Sequence, residues 1–223
     1  MIDVGGLKMN KDTEQITKWK DKFGKEYTDR NALTLDELER MYENNFGLNR
    51  TKLNNIFIGK FNHSIKILEI GSNIGNQLLL LQKMGFKNLY GIEINDYAIE
   101  LSKQRTNNIN IIQGSAFDIP FKNEYFDLVF TSGVLIHITP HDIDLVLNEI
   151  YRCTKKYIWG FEYYEEKYTE IIYRGKKDLL WKANFAQLYL NLFENLKLIK
   201  EKKLKYLNND NIDVMFLLKK KGI

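Results

Sequence analysis

Ile65-Lys66-Ile67-Leu68-Glu69-Ile70-Gly71-Ser72-Asn73-Ile74-Gly75-Asn76 is the stretch on which the reading of this chain turns. Its apolar first half predicts a short strand, and Gly71 to Gly75 a tight turn. A helix is expected from Asn76 to Met84, which Gly85 ends by adopting positive φ. Strand, small-residue turn and helix N-terminus together make a binding loop. The missing side chains let a ligand reach the backbone, and the first helical turn offers N–H groups with no partner inside the helix. Leu89-Tyr90-Gly91-Ile92-Glu93-Ile94 follows as a second strand ending on an acid, Glu93, 22 residues past Gly71. A carboxylate in that place can accept both hydroxyls of a ribose.

Outward from this stretch, strands at 65–70, 89–93, 109–113, 126–131 and 155–161 alternate with helices at 76–84, 96–105 and 140–153. Such alternation predicts parallel strands with crossover helices, hence an open α/β sheet covered on both faces. Thr139 is placed to cap the helix at 140, with Pro140 at its first position and Asp142 completing a capping-box spacing. A further helix is expected over 178–194, with Leu179, Leu180, Trp181, Phe185, Leu188 and Leu192 on its apolar side. Segments 196–206 and 212–219 flank the turn Asn208-Asn209-Asp210-Asn211 and are expected to pair as an antiparallel hairpin. Residues 1–60 have a different texture. A surface helix is expected from Asp12 to Lys22, and a second follows the capping box Thr34–Glu37 with the stripe Leu35, Leu38, Met41, Tyr42. Between them, Phe23 to Asn31 reads as a loop dense in side chains able to bind. The region is expected to be a helical cap on a core at 61–223, the whole of 1–223 forming one domain without repeats or low-complexity linkers.

With 223 residues, 44% of them hydrophobic, the chain can bury one sizeable core. Its 33 basic and 29 acidic residues leave a net charge of +4, too mild an excess to demand a nucleic acid partner. The lysines at 197–205 and 219–221 read as solvated faces. Cys153 stands alone, so neither a disulfide framework nor a cysteine metal site is expected. No His/Asp/Glu cluster has ligand spacing, and no metal is expected. No apolar run approaches the roughly 20 residues that span a bilayer, and the N-terminus has no signal-peptide core. A reduced, cytoplasmic protein with no membrane partner is the expectation.

In an open α/β sheet, ligands bind beyond the carboxyl ends of the strands. Four such ends are polar or glycine-rich here: Gly71–Gly75, Glu93, Gly114-Ser115-Ala116-Phe117-Asp118 and Thr131-Ser132-Gly133. On these residues, positions 64–220 resemble the class I S-adenosylmethionine-dependent methyltransferases. The resemblance implies a Rossmann-like fold with a mostly parallel seven-stranded sheet and an antiparallel C-terminal strand. It implies S-adenosylmethionine as methyl donor and S-adenosylhomocysteine as product. By it, Gly71, Asn73 and Gly75 pass the methionine part, Glu93 takes the ribose, and Ser115, Ala116 and Phe117 surround the adenine. Ser72, Asn76, Ile94, Ser132 and His137 also fall to the cofactor. Two departures stand out: Asn73 replaces the family's middle glycine, and Ser115 stands where an acid often meets the adenine amine. A serine oxygen accepts that bond more weakly than a carboxylate.

A narrower resemblance rests on Trp19, Phe23-Gly24, Tyr27-Thr28-Asp29-Arg30-Asn31, Ser132-Gly133-Val134-Leu135-Ile136-His137-Ile138, Glu162-Tyr163-Tyr164 and Tyr173-Arg174-Gly175. These are similar to the methylases associated with pseudaminic acid biosynthesis. The likeness implies an amino-sugar, nonulosonic-acid-type or glycan acceptor, leaving open O- or N-methylation and whether the protein is a monomer or a homodimer.

Methyl transfer from a sulfonium is an in-line displacement, so the protein has to align the reactants, exclude water and take a proton from a hydroxyl or ammonium acceptor. His137, five residues past Ser132 and with an unperturbed pKa near 6.5, is the first candidate base; the alternative is that it packs the loop. Glu162, ending the fifth strand, is the second; the alternative is a solvated strand-end acid. His141 reads as surface. Tyr27 and Arg30 can fold over the cofactor, Arg30 reaching a carboxylate, or form a surface salt bridge. The aromatic run from Tyr157 to Tyr168 reads as strand packing, with Tyr163 and Tyr164 nearest a substrate; Tyr173 and Arg174 can line the acceptor pocket. Three other functions compete. An NAD(P)-dependent oxidoreductase is disfavoured by the spacing Gly71-x-Asn73-x-Gly75 and the lack of a Tyr-x-x-x-Lys pair. A nucleic acid methyltransferase is disfavoured by Thr131-Ser132-Gly133-Val134 in place of Asn/Asp-Pro-Pro-aromatic. A non-catalytic module binding S-adenosylmethionine differs only in lacking a working base.

Overall fold

The computed structural model describes residues 13–222. Asp12, the expected start of the first helix, and residues 1–12 of the expected cap lie outside them. Four helices come first: α1 (Glu14–Lys20), α2 (Lys22–Arg30), α3 (Leu35–Phe46) and α4 (Arg50–Ile58). Then follow β1 (Lys66–Ile70), α5 (Asn76–Lys83), β2 (Asn88–Glu93), α6 (Asp96–Arg105), β3 (Asn110–Gln113), β4 (Phe126–Ser132), α7 (Ile143–Cys153) and β5 (Thr154–Tyr163). The chain closes with the short pair β6 (Thr169–Glu170) and β7 (Trp181–Lys182), then α8 (Phe185–Leu192), β8 (Leu196–Lys205) and β9 (Ile212–Lys220).

Seven strands make one sheet in the order β3-β2-β1-β4-β5-β9-β8. The first five run parallel, and β9 is antiparallel to both of its neighbours. β1 carries Ile67, Leu68, Glu69 and Ile70 buried in succession, as a parallel strand covered on both faces requires. One apolar layer includes Leu68, Ile92, Val129, Leu147 and Phe216. The other joins Ile67, Leu80, Leu128 and Trp159 to Leu38, Tyr42, Leu53 and Phe57 of α3 and α4. Parallel register pairs Ile70 with Ile92 and Thr131, and Ser132 with Phe161. The strand ends near Gly71, Glu93, Ser132 and Glu162 therefore share one edge.

The α/β alternation and the antiparallel hairpin agree with the sequence reading, and four local expectations need correction. Phe23–Asn31 is not a loop but mostly α2. Gly24 stands inside that helix where nothing larger fits: a Cβ there would come within 1.9 Å of the Trp19 carbonyl oxygen. α4 had no expected counterpart; Asn49 starts it, its side chain accepting from Lys52 N–H. The helix expected at 140 begins at Ile143, because Thr139 and Asp142 bond each other in a preceding turn. The helix expected over 178–194 is confined to Phe185–Leu192, capped by Asn184. Leu179 to Trp181 are buried in extended chain instead, and an apolar run alone cannot distinguish the two.

Candidate functional site

A cavity of about 520 Å³ opens at the carboxyl edge of the sheet, walled by the ends of β1, β2, β4 and β5 and covered by α1, α2 and α3. Its floor is the turn after β1. Gly71 (φ +65°), Asn73 (φ +48°) and Gly75 (φ +83°) are all left-handed there. Asparagine is among the few side chains that tolerate this conformation, which explains how it can stand for a glycine at the middle position. Asn73 also supports the turn: its Oδ1 accepts from Ile74 N–H at 2.8 Å and its Nδ2 donates to Thr28 Oγ1 at 3.1 Å, tying the loop to α2. Gly71 has no such freedom to change, since a Cβ would lie 2.7 Å from Val134 Cγ2. Gly71→Ala is expected to cost about 1–2 kcal/mol in backbone strain alone, read as a lower melting temperature, whereas Asn73→Gly should keep the fold.

Glu93 ends β2 with its carboxylate turned back under this turn. Asn73 N–H donates to Oε2 at 2.8 Å; Ile94 and Asn95 N–H donate to Oε1 at 2.8 and 2.9 Å. Burial pushes its pKa up, and the backbone donors pull it back. A carboxylate has about four acceptor positions, so three N–H donors leave room for a ligand hydroxyl. Ser72, Asn76, Ile94, Ser115, Ala116, Phe117 and Ser132 line the same cavity.

His137 ends a single 3-10 turn, Leu135–His137, and is buried. Its Nδ1 lies 2.7 Å from the Leu179 carbonyl oxygen. A carbonyl only accepts, so Nδ1 carries the proton and Nε2 keeps a lone pair. Burial lowers its pKa to about 4, the Leu179 bond acting weakly the other way, so the ring is neutral at pH 7. Trp19 packs on it with ring centroids 4.6 Å apart, and Tyr173 stands at 6.0 Å.

Glu162 is placed differently from the expectation. It is fully buried behind the turn, accepts from Val134 and Ile136 N–H at 3.3 and 3.4 Å, and is absent from the cavity wall. Burial raises its pKa to about 7 against these bonds and one from Thr131. It holds the turn that carries His137 and is not a solvated strand-end acid. Tyr27 lines the cavity with Gly24, Thr28 and Asn31, the i, i+3, i+4, i+7 stripe of α2. Arg30 lies off that stripe and is exposed outside the cavity. Tyr163 lines the cavity, but Tyr164 projects to the other side, its ring under Lys203 and its hydroxyl bonded to Glu166. Side chains alternate faces along an extended chain, so one of two adjacent tyrosines had to point away. Tyr173 lines the cavity; Arg174 is exposed.

The sequence reading missed Glu69, Tyr42, Phe46, Tyr206 and Asp213, all in the cavity wall. Glu69 and Asp213 had a signal available: each is an acid set within an apolar strand. The aromatic residues had none, because they converge from α3 and the β8–β9 hairpin. The chemistry of the wall suits an adenosine-bearing ligand. An acid with spare acceptor capacity stands beside a small-residue turn, Ala116 and Phe117 offer an apolar frame, and Ser72 Oγ and Gln77 Oε1 are buried without protein partners.

Comparison with known proteins bears on the fold that carries this cavity. A family described as a methyltransferase domain matches residues 68–157, from β1 into β5. The phosphoethanolamine N-methyltransferase of Plasmodium falciparum is 24% identical over 192 residues, covering 74% of this chain and 72% of that protein. Among solved structures, the PH0226 protein of Pyrococcus horikoshii OT3 superposes with a TM-score of 0.64 at 18% identity, covering 87% of this chain and 95% of its own. A Burkholderia thailandensis 1,6-didemethyltoxoflavin-N1-methyltransferase, solved with 1,6-didemethyltoxoflavin and S-adenosylhomocysteine bound, gives 0.64 at 11% identity, covering 89% and 85%. At these identities the two structures establish a shared fold.

Proposed function

From the premise that the chain is an S-adenosylmethionine-dependent methyltransferase of the class I fold, we propose that it methylates a small polar acceptor, an amino sugar or nonulosonic-acid-type glycan intermediate, on oxygen or nitrogen. The observation that carries this reading is convergence. Trp19, Tyr27, Gly133, His137, Tyr163 and Tyr173, drawn from separate short motifs that resemble those of the pseudaminic-acid-associated methylases, meet in one cavity. Its volume, about 520 Å³, is in the range of a small-molecule site. In this reading cap and sheet are one domain, α3 and α4 sharing an apolar layer with β1.

The bound cofactor supplies an electrophilic methyl group on a sulfonium. Gly71, Ser72, Asn73, Gly75 and Asn76 receive its methionine part, Glu93 and Ile94 its ribose, Ser115, Ala116 and Phe117 its adenine, with Ser132 and His137 alongside. With Arg30 outside, the carboxylate is left to neutral donors. His137 Nε2 accepts a hydrogen bond from the acceptor's nucleophilic atom and takes its proton as that atom's lone pair is committed. A ring this hard to protonate stays ready to accept at neutral pH and holds the proton only briefly. Trp19, Tyr27, Tyr163 and Tyr173 exclude water and present ring faces to a sugar. Glu162 is a positioning residue, acting through the Val134–Ile136 backbone.

The test is label transfer from methyl-labelled S-adenosylmethionine to a panel of free amino sugars, nucleotide-linked amino sugars, finished glycans and RNA. Incorporation into an amino-sugar member and none into RNA is expected; incorporation into RNA alone overturns the acceptor assignment.

A further inference from the structure

The end of the cavity farthest from the glycine turn is walled by Tyr42, Phe46, Phe161, Tyr163 and Tyr206 around Asp213. We propose that this is the acceptor's anchoring subsite, that it takes a protonated amine, and that Asp213 is the specificity residue that meets it. The inference rests on the methyl-transfer reading and narrows its substrate class.

Asp213 is the second residue of β9, paired in register with Tyr163 of β5 and only 1% exposed. Tyr206 donates to its Oδ2 at 3.1 Å, and its Oδ1 is buried with no partner in the protein. A buried carboxylate oxygen left unmatched is costly unless a ligand supplies the donor. The rings around it stand at aromatic contact distances: Phe46–Tyr206 4.6 Å, Tyr42–Phe161 5.5 Å and Phe46–Phe161 6.0 Å between centroids. Such ring faces attract a cation; Arg50 already lies over those of Phe161 and Tyr42, at 4.4 and 5.1 Å, so the faces left for a ligand are those of Phe46, Tyr163 and Tyr206.

Charge points the same way. Although the chain has more basic than acidic residues, no Lys or Arg lines the cavity among the described residues, whereas Glu69, Glu93 and Asp213 do. Arg50 is not part of the lining; it is buried behind the wall, with Nε donating to Asn54 and Nη1 to Tyr42, and its charge acts from there on Glu69 and Asp213. A phosphate or carboxylate on the acceptor would find no Lys or Arg among the described residues of the wall and would face Glu69, Glu93 and Asp213 instead. Since β9 lies two strands beyond β4, Asp213 sits roughly 10 Å along the sheet from the end of β4. The amine it holds is therefore a substituent remote from the atom that reacts. An N-acetylated amine carries no charge and offers Oδ1 a single neutral N–H, the weaker donor.

Calorimetry on the full chain saturated with S-adenosylhomocysteine decides this, with D-glucosamine, N-acetyl-D-glucosamine and D-glucosamine 6-phosphate as probes. D-glucosamine is expected to bind at least about tenfold tighter than the other two. Asp213→Asn, close in shape, is expected to erase that preference while S-adenosylhomocysteine affinity stays within about twofold. Equal or tighter binding of the acetylated or phosphorylated probe, no binding of any probe, or a preference unchanged in Asp213→Asn overturns the inference. The wild-type ranking stands as a test even if that variant does not fold. Failure to bind S-adenosylhomocysteine at all would instead strike the methyltransferase reading beneath it.

Discussion

Glu93→Ala removes S-adenosylhomocysteine binding, with an expected loss of about 100-fold or more in affinity by calorimetry. Two effects add. The carboxylate loses its place against the ribose hydroxyls, and the N–H groups of Asn73, Ile94 and Asn95 lose their common acceptor. Hydrogen bonds to a charged group contribute about 1.5–3 kcal/mol each, so losing the one ligand bond for which Glu93 has room accounts for roughly 10–150-fold. The turn itself also loosens, because Asn73 is left-handed and held from one side by Glu93 and from the other by Thr28. Glu93→Gln should fall between: it keeps one acceptor oxygen and gives up the charge. Affinity for S-adenosylhomocysteine retained in Glu93→Ala would place the donor elsewhere and remove the basis of the site.

His137→Ala is expected to lower turnover by about 10²–10³-fold, the range of one proton-accepting group, with S-adenosylhomocysteine affinity changed only a few-fold. A parallel collapse of cofactor affinity would mean that the ring only packs Trp19 and Tyr173. The pH dependence separates His137 from Glu162. Burial holds the His137 pKa at about 4, so its neutral form persists through pH 5–8 and no loss of rate should appear near 6.5 on its account. Glu162, raised to about 7 by burial, is ionised only above that pH, when both oxygens accept from the Val134–Ile136 backbone. Turnover should thus fall as pH drops through about 7, and Glu162→Gln should run at a lower rate that is flat across this range. Stability moves in the opposite direction. A carboxyl whose folded pKa lies above its unfolded value stabilises the fold fully below the unfolded value, about 4.5, and loses that contribution as pH rises through about 7. Asp213, also raised to about 7 by burial, adds to the same decline. The His137 contribution has the other sign, complete above its ordinary 6.5 and lost as pH falls towards 4. Melting temperature should therefore decline between about pH 4.5 and 7, with the His137 contribution offsetting part of the fall below 6.5, while turnover rises as Glu162 ionises through about 7; Glu162→Gln should flatten both curves.

Much of the architecture was legible without coordinates, because it rests on short-range patterns. Five apolar runs spaced by helical stretches can bury their two faces only as a parallel sheet with crossovers. The turn at Gly71–Gly75 and the acid at Glu93 are likewise read within single elements, and the register of β1 with β2 then brings them together. The capping box at Thr34–Glu37 formed as its spacing required. Where the pattern was ambiguous the reading slipped: Phe23–Asn31 holds a glycine and charged residues that suit a loop, yet its 24, 27, 28, 31 stripe is helical.

What the sequence determined by itself was the sheet, its order of strands and helices, and the edge at which a ligand belongs, since periodicity and turn chemistry are local properties. Only the tertiary structure decided where each candidate side chain stands and what it touches. His137 owes its tautomer to a carbonyl 42 residues away at Leu179. Glu162 was removed from the cavity by a turn packed over it, Arg30 and Tyr164 by the direction of their backbones, and Asp213 was brought in by the pairing of β9 with β5. Protonation, exposure and reach depend on neighbours distant in the chain, and those neighbours exist only once the chain has folded.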